Sequence, residues 1–180
     1  EGPIEWSGRF RPPIMGQGIY PRPERPLPIR IAVGGTPASV VRAASKGLGL
    51  SLAIIGGAPD RFRAFTDLYR KTLVEHGRDP AEYPISVHAH GFVAPTDDEA
   101  VEIFYPSYAV AMTRLGRERG WGPMTRQQFE MMRSPEGSLV LGSPQTVAEK
   151  ILRWKDILGI ERFELHASVG HRPHARMELE

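Results

Sequence analysis

The sequence predicts an α/β fold, parallel strands covered by helices, and three observations predict it. Short apolar runs alternate four times with segments of helical periodicity. Several of the helices open on a proline or a capping residue directly after a strand. Glycine pairs stand where the first two strands turn into their helices, at 34–35 and 56–57.

The elements follow in order. Residues 1–28 hold seven of the 17 prolines, with Gly2, Gly8, Gly16 and Gly18 between them, which excludes a helix interior. A brief extended piece around Ile4–Phe10 fits. Trp6, Phe10, Ile14, Ile19 and Tyr20 suit a loop lying on an apolar surface better than a free tail. Ile29–Val33 then reads as a strand leading to a helix near Pro37–Gly47. Leu50–Ile55 leads through Gly56-Gly57-Ala58 to a helix near Pro59–His76, where Phe62, Phe65, Tyr69 and Leu73 share one face. Ile85–Ala94 leads through Pro95 to a helix opened by Thr96-Asp97-Asp98-Glu99, a capping box, and running to about Arg119. After Gly120-Trp121-Gly122-Pro123 come a short helix, Arg126–Arg133, and a short apolar run, Leu139–Leu141. A Pro-started helix follows Gly142-Ser143-Pro144 and ends near Gly159, with Val147, Ile151, Trp154 and Leu158 on one side. Glu161–Val169 is the last strand, and a new helix begins at Pro173. Four units fall short of the eight that close a barrel. The chain opens at Glu1 without methionine and stops inside that last helix, and Leu179-Glu180 often precedes a purification tag. It reads as a piece of something longer.

Composition narrows the partners. The 180 residues are 41% hydrophobic and 24% charged, ordinary for a globular protein. No run approaches the roughly 18 apolar residues of a membrane span. The absence of cysteine excludes disulfides, thiolate metal sites and a thiol nucleophile, and fits the cytoplasm. A net charge of +2 with scattered arginines gives nucleic-acid binding little support.

The stretch Gly34-Gly35-Thr36-Pro37-Ala38-Ser39 carries the most chemical information. Thr36 stands at the N-cap and Pro37 at the first helical position, where its missing N–H costs nothing. Such an end offers unpaired N–H groups and the positive end of the helix dipole to a phosphate, and the Thr36 and Ser39 hydroxyls could add two donors. An ordinary capped helix after a tight turn looks the same. Gly142-Ser143-Pro144 is a competing anion site, better read as structural capping. Gly170-His171-Arg172 is a third, otherwise a plain turn. His88 and His90 are two apart on a strand and share a face, but no third ligand has metal-site spacing, so no metal is expected. His166 alternates with Glu164 and Ser168 and reads as a polar residue with its hydrogen bonds satisfied. No nucleophile, P-loop or paired-carboxylate signature is present.

Taken in order, the segments resemble the luciferase-like, flavin-dependent monooxygenase family, specifically its C-terminal half. The resemblance runs from Glu5-Trp6-Ser7-Gly8-Arg9-Phe10-Arg11, Tyr20-Pro21-Arg22-Pro23 and Leu27-Pro28-Ile29-Arg30 to Gly34-Gly35-Thr36-Pro37-Ala38-Ser39 with Arg42-Ala43-Ala44. It continues through Ile55-Gly56-Gly57, Asp67-Leu68-Tyr69-Arg70, His90-Gly91-Phe92-Val93-Ala94 and Gly142-Ser143-Pro144 with Val147-Ala148-Glu149-Lys150-Ile151. Arg162-Phe163 and Val169-Gly170 with Pro173-His174 complete it. The resemblance implies half of a TIM-type (β/α)8 barrel. Residues 1–28 would be a Pro-rich loop packed on the barrel. Residues 29–180 would be its last four β/α units, with a helical insertion before the final strand.

It also implies a flavin site at the C-terminal ends of the strands, with Gly34, Gly35, Thr36 and Ser39 holding the phosphate of FMN. His90 or its neighbours would face that mouth. The whole enzyme would take reduced FMN from a separate reductase and use O2 to oxygenate a small organic substrate. A deazaflavin-dependent dehydrogenase of the same fold is the alternative. A half-barrel that is catalytically inert and only associates, with a second copy or with the missing N-terminal half, is the third reading. No catalytic residue is assigned. A helix N-terminus contributes about 0.3–1 kcal/mol and up to about 2, whereas even millimolar binding needs about 4 kcal/mol. The loop alone cannot retain the flavin, whose ring needs walls that this half largely lacks.

Overall fold

A computed structural model describes residues 2–170. The predicted helix from Pro173, the pair His171-Arg172 and the Leu179-Glu180 end lie outside them.

The chain opens on an antiparallel hairpin, β1 (Ile4–Trp6) and β2 (Ile14–Gln17). The body then alternates β3 (Arg30–Val33), α1 (Pro37–Ser45), β4 (Gly49–Ile54), α2 (Arg63–Glu75) and β5 (Ile85–Val93). It continues with α3 (Asp97–Arg119), α4 (Arg126–Arg133), β6 (Val140–Gly142), α5 (Pro144–Leu158) and β7 (Arg162–His166). All pairings among β3–β7 are parallel, as helical crossovers require. The order is β3-β4-β5, with β5 also pairing β7 through Ser86–His90. Its last three residues, Gly91–Val93, run beyond the stretches paired with β4 and β7 and take β6.

Alternation along the strands divides the sheet into two faces. Val33, Leu50, Leu52, Ile54, Ile85, Val87 and Ala89 pack on Val40, Ala43, Tyr69, Leu73, Trp154 and Leu158 of the helices, forming the main core. The opposite face carries Arg30, Ala32, Ser51, Ala53, Ser86, His88, His90, Glu164 and His166, far more polar, with Ala32 exposed and His88 and His166 half-buried. A second core joins Phe92, Ala94 and Leu141 to Phe104, Tyr108, Met112 and Phe129 of α3 and α4. The buried Lys150 ammonium ties α5 to this unit, donating to the carbonyls of Arg133 (3.2 Å), Ser134 (2.5 Å) and Leu139 (2.7 Å).

The structure departs from the sequence reading in two places. The run Leu139–Leu141 ends in a fifth parallel strand, β6, whose three residues are all buried; a strand that short shows no alternation to read. The last strand stops at His166 rather than Val169. Within the described residues, β1 and β2 form a hairpin over residues 4–17 whose side chains are largely exposed, Phe10 at 92% and Trp6 at 45%. Pairing satisfies the backbone locally, while residues 29–170 supply no surface that covers these side chains.

Candidate functional site

The C-terminal ends of the strands bring two groups of residues to one end of the sheet. The first is the turn from β3 into α1. Gly35 sits at φ +148°, which a side chain rarely adopts, and neither Gly34 nor Gly35 has a heavy atom close enough to crowd an added Cβ. The backbone there is open to a ligand. Thr36 is the N-cap in extended conformation, yet its hydroxyl makes no capping bond. Thr36 is exposed and Ser39 half-buried, and only the Ser39 N–H to Thr36 carbonyl bond (3.0 Å) closes the first turn. This is a helix start with its dipole and both hydroxyls uncommitted.

The N-terminus of α5 is the reverse case. Ser143 caps it, and the Asp97 carboxylate accepts from the Ser143 N–H (2.6 Å) and the Thr146 hydroxyl (3.0 Å). Those bonds, the Ser143 amide first, hold Asp97 below the usual carboxylate range. The place an anion would take is filled by the protein itself, so Ser143 is structural. Gly170 packs against Ser107 of α3.

The second group lies on the polar face. In register, His88 stands opposite Glu164 and His90 opposite His166. The His88 and His166 rings stack at 5.0 Å, and His90 meets His166 edge-on at 5.2 Å. Tyr108 of α3 closes on His90, with its hydroxyl 3.4 Å from Nδ1. Burial pushes the Tyr108 phenol up, so it keeps its proton and pairs with Nδ1 as donor or acceptor according to the His90 tautomer. Burial, followed by the His166 and His88 imidazoles, pushes His90 down to about 4, and burial also lowers His166. His90 and His166 are neutral at pH 7.

His166 was expected to be satisfied, but its Nδ1 is buried with no hydrogen-bond partner. The sheet brings it against two other imidazoles instead of a carboxylate, because Glu164 is held by Arg162 (3.0 Å). Sequence reasoning missed Tyr108 altogether. Its place four residues after Phe104 marked only a core position. Among the described residues no group of three or more His, Asp or Glu is arranged to hold a metal ion.

The luciferase-like monooxygenase family model matches residues 1–161. No curated protein matches the chain. Among solved structures the chain is similar to a monooxygenase from Streptomyces bottropensis, with 23% identity and a TM-score of 0.67 over 98% of this chain and 52% of that one. It is also similar to the FMN-bound oxygenating constituent of 3,6-diketocamphane monooxygenase from Pseudomonas putida (17%, TM-score 0.60, 92% and 50%). A third likeness is to an F420-dependent secondary alcohol dehydrogenase solved with an F420-acetone adduct (16%, TM-score 0.61, 92% and 50%). At these identities the likeness is one of fold. The chain spans about half the length of the structures it matches, and its sheet and helices correspond to half of a TIM-type barrel.

Proposed function

The chain belongs to the luciferase-like monooxygenase family, and from that membership we propose that it is the phosphate-holding half of a flavin-dependent monooxygenase. The enzyme would use reduced FMN and O2 to oxygenate a small organic substrate in the cytoplasm. The observation that carries this reading is the uncommitted start of α1: open glycines, a positive φ at Gly35 and a Thr36 hydroxyl outside the cap. The residues fit the group. Gly34 and Gly35 let a phosphate approach the backbone, the first-turn amides meet its charge, and Thr36 and Ser39 donate from their hydroxyls. Reduced flavin, when bound, supplies the two electrons by which one oxygen atom of O2 goes to substrate and the other to water. A separate reductase would deliver it. The chain's own tasks are to hold the phosphate and to present the polar face of the sheet to what lies at the mouth.

Amide NMR of the chain tests this. Inorganic phosphate and FMN are expected to shift the amides of residues 34–36, 38 and 39, and riboflavin, lacking the phosphate, is not. Thr36→Val with Ser39→Ala should weaken the FMN effect about tenfold, equivalent to about 1.4 kcal/mol. Because the loop alone binds more weakly than millimolar, the ligands are taken to about 100 mM phosphate and about 30 mM FMN; amides that stay still with both would reject the assignment.

A deazaflavin-dependent dehydrogenase, moving hydride without O2, is the second reading, favoured by the likeness to the F420-dependent alcohol dehydrogenase. A preference for a deazaflavin phosphate over FMN in the same titration would select it. In either case the 180 residues alone are expected to be inert. The edges of β3 and β7 and the apolar hairpin would be covered by a second copy or by the other half of the barrel. Sedimentation equilibrium is expected to show self-association of the isolated chain; a clean monomer at high concentration counts against it.

A further inference from the structure

We propose that His88, His90 and His166 form a recognition site for the oxygen of a neutral alcohol or carbonyl substrate, with Tyr108 as the residue that positions His90. This deepens the flavin-enzyme reading and rests on it, because it takes the mouth of the barrel as the place where substrate arrives.

Placement comes first. Val33, Leu52 and Val87 are aligned across β3, β4 and β5, so residues 34–36 follow at the level of His88–His90. The three imidazoles therefore share one end of the sheet with the phosphate turn. They lie on the polar face, with His88 and His166 half-buried and the His166 Nδ1 closed to solvent, so a ligand reaches that nitrogen when the neighbouring rings shift.

Chemistry selects the ligand. His90 and His166 present uncharged ring nitrogens, which donate or accept according to tautomer. His90 keeps Nε2 for a ligand because the Tyr108 hydroxyl occupies its Nδ1. Opposite His88, Glu164 is engaged by Arg162. Among the described residues a carboxylate would meet no free cation here, and an ammonium would meet only an engaged carboxylate. A hydroxyl or carbonyl oxygen matches the donors without demanding a charge.

His166 supplies the independent observation. A buried ring nitrogen without a partner is costly, and proteins rarely leave one so. Packed between the His88 and His90 rings, it lacks one hydrogen-bonding atom that no described residue provides. An alcohol can donate to it. A carbonyl can accept from it in the other tautomer.

Long-range 1H–15N NMR of the histidine rings in the intact chain tests the site, with cyclohexanol, cyclohexanone and cyclohexanecarboxylate as probes. Saturable shifts at the His166 and His90 nitrogens are expected with the alcohol and the ketone and not with the carboxylate. His166→Phe should abolish them. Tyr108→Phe should move the His90 proton between Nδ1 and Nε2 and weaken the response at least tenfold, which a purely structural tyrosine would not do. If neither neutral probe gives a saturable shift on the unmodified chain, or the carboxylate does as well as they do, the site is wrong. Inorganic phosphate added to the same sample separates the two readings. Rings that respond while residues 34–39 stay silent uphold this site against the flavin assignment. Moving amides with silent rings sink this site alone.

Discussion

Replacing Gly91 by alanine is expected to destabilise the chain by more than about 3 kcal/mol and to detach β6 from the sheet. Gly91 stands where β5 leaves the stretches paired with β4 and β7 and begins to pair with β6. A methyl group there would overlap the Val140 carbonyl oxygen, lie 2.8 Å from its carbon and press on the Leu165 side chain. Side chains can turn away from such a clash, but a carbonyl in a parallel ladder cannot. Either the β5–β6 pairing breaks or β7 shifts at Leu165, beside His166 in the imidazole cluster. Urea unfolding should show a lower midpoint with an unchanged slope. Gly56 is the control, because nothing lies within 4 Å of its added Cβ, and Gly56→Ala should stay within about 0.5 kcal/mol. Equal midpoints for the two variants would show that the junction at Gly91 is looser than its geometry.

Acidification from pH 6.5 to 4 should cost about 3 kcal/mol of stability through His90. The folded pKa, about 4, lies below the ordinary value of 6.5. Between the two, the unfolded chain holds a proton that the native site refuses, so stability rises with pH through this window and falls as pH drops. Desolvation is the main cause. The groups facing His90 are His88 and His166 on the sheet and Tyr108 on α3, and none offers an anion to offset it. The lowered pKa of His166 acts in the same direction. Asp97 loses its contribution only below the normal carboxylate range. His90→Phe keeps the ring and removes the titration, and should flatten the pH dependence of the urea midpoint between 4 and 6.5. His166 leaves a smaller residual slope, and a slope undiminished by this substitution would assign the acid sensitivity elsewhere.

Much of the fold could be read locally. Thr36-Pro37, Ser143-Pro144 and Thr96 with Glu99 mark helix starts because a cap is a property of adjacent residues. Tyr69 with Leu73, and Trp154 with Leu158, mark buried faces because helical spacing repeats within a few turns. The phosphate turn was legible for the same reason, since its glycines, cap and proline are contiguous. β6 was not, being three residues long. The hairpin of β1 and β2 was not, because Pro and Gly punctuation conceals pairing between segments that carry no clean alternation.

The sequence by itself determined the strand and helix alternation, the helix starts and the turn at 34–36, all set by interactions between near neighbours. Tertiary structure alone decided that Asp97 fills the anion place on α5, and that His88, His90, His166 and Tyr108 meet. These groups lie 46 and up to 78 residues apart in the chain, and only sheet register and the packing of α3 against β5 bring them within hydrogen-bonding or stacking distance. Register depends on which strands pair, and no local pattern records that choice.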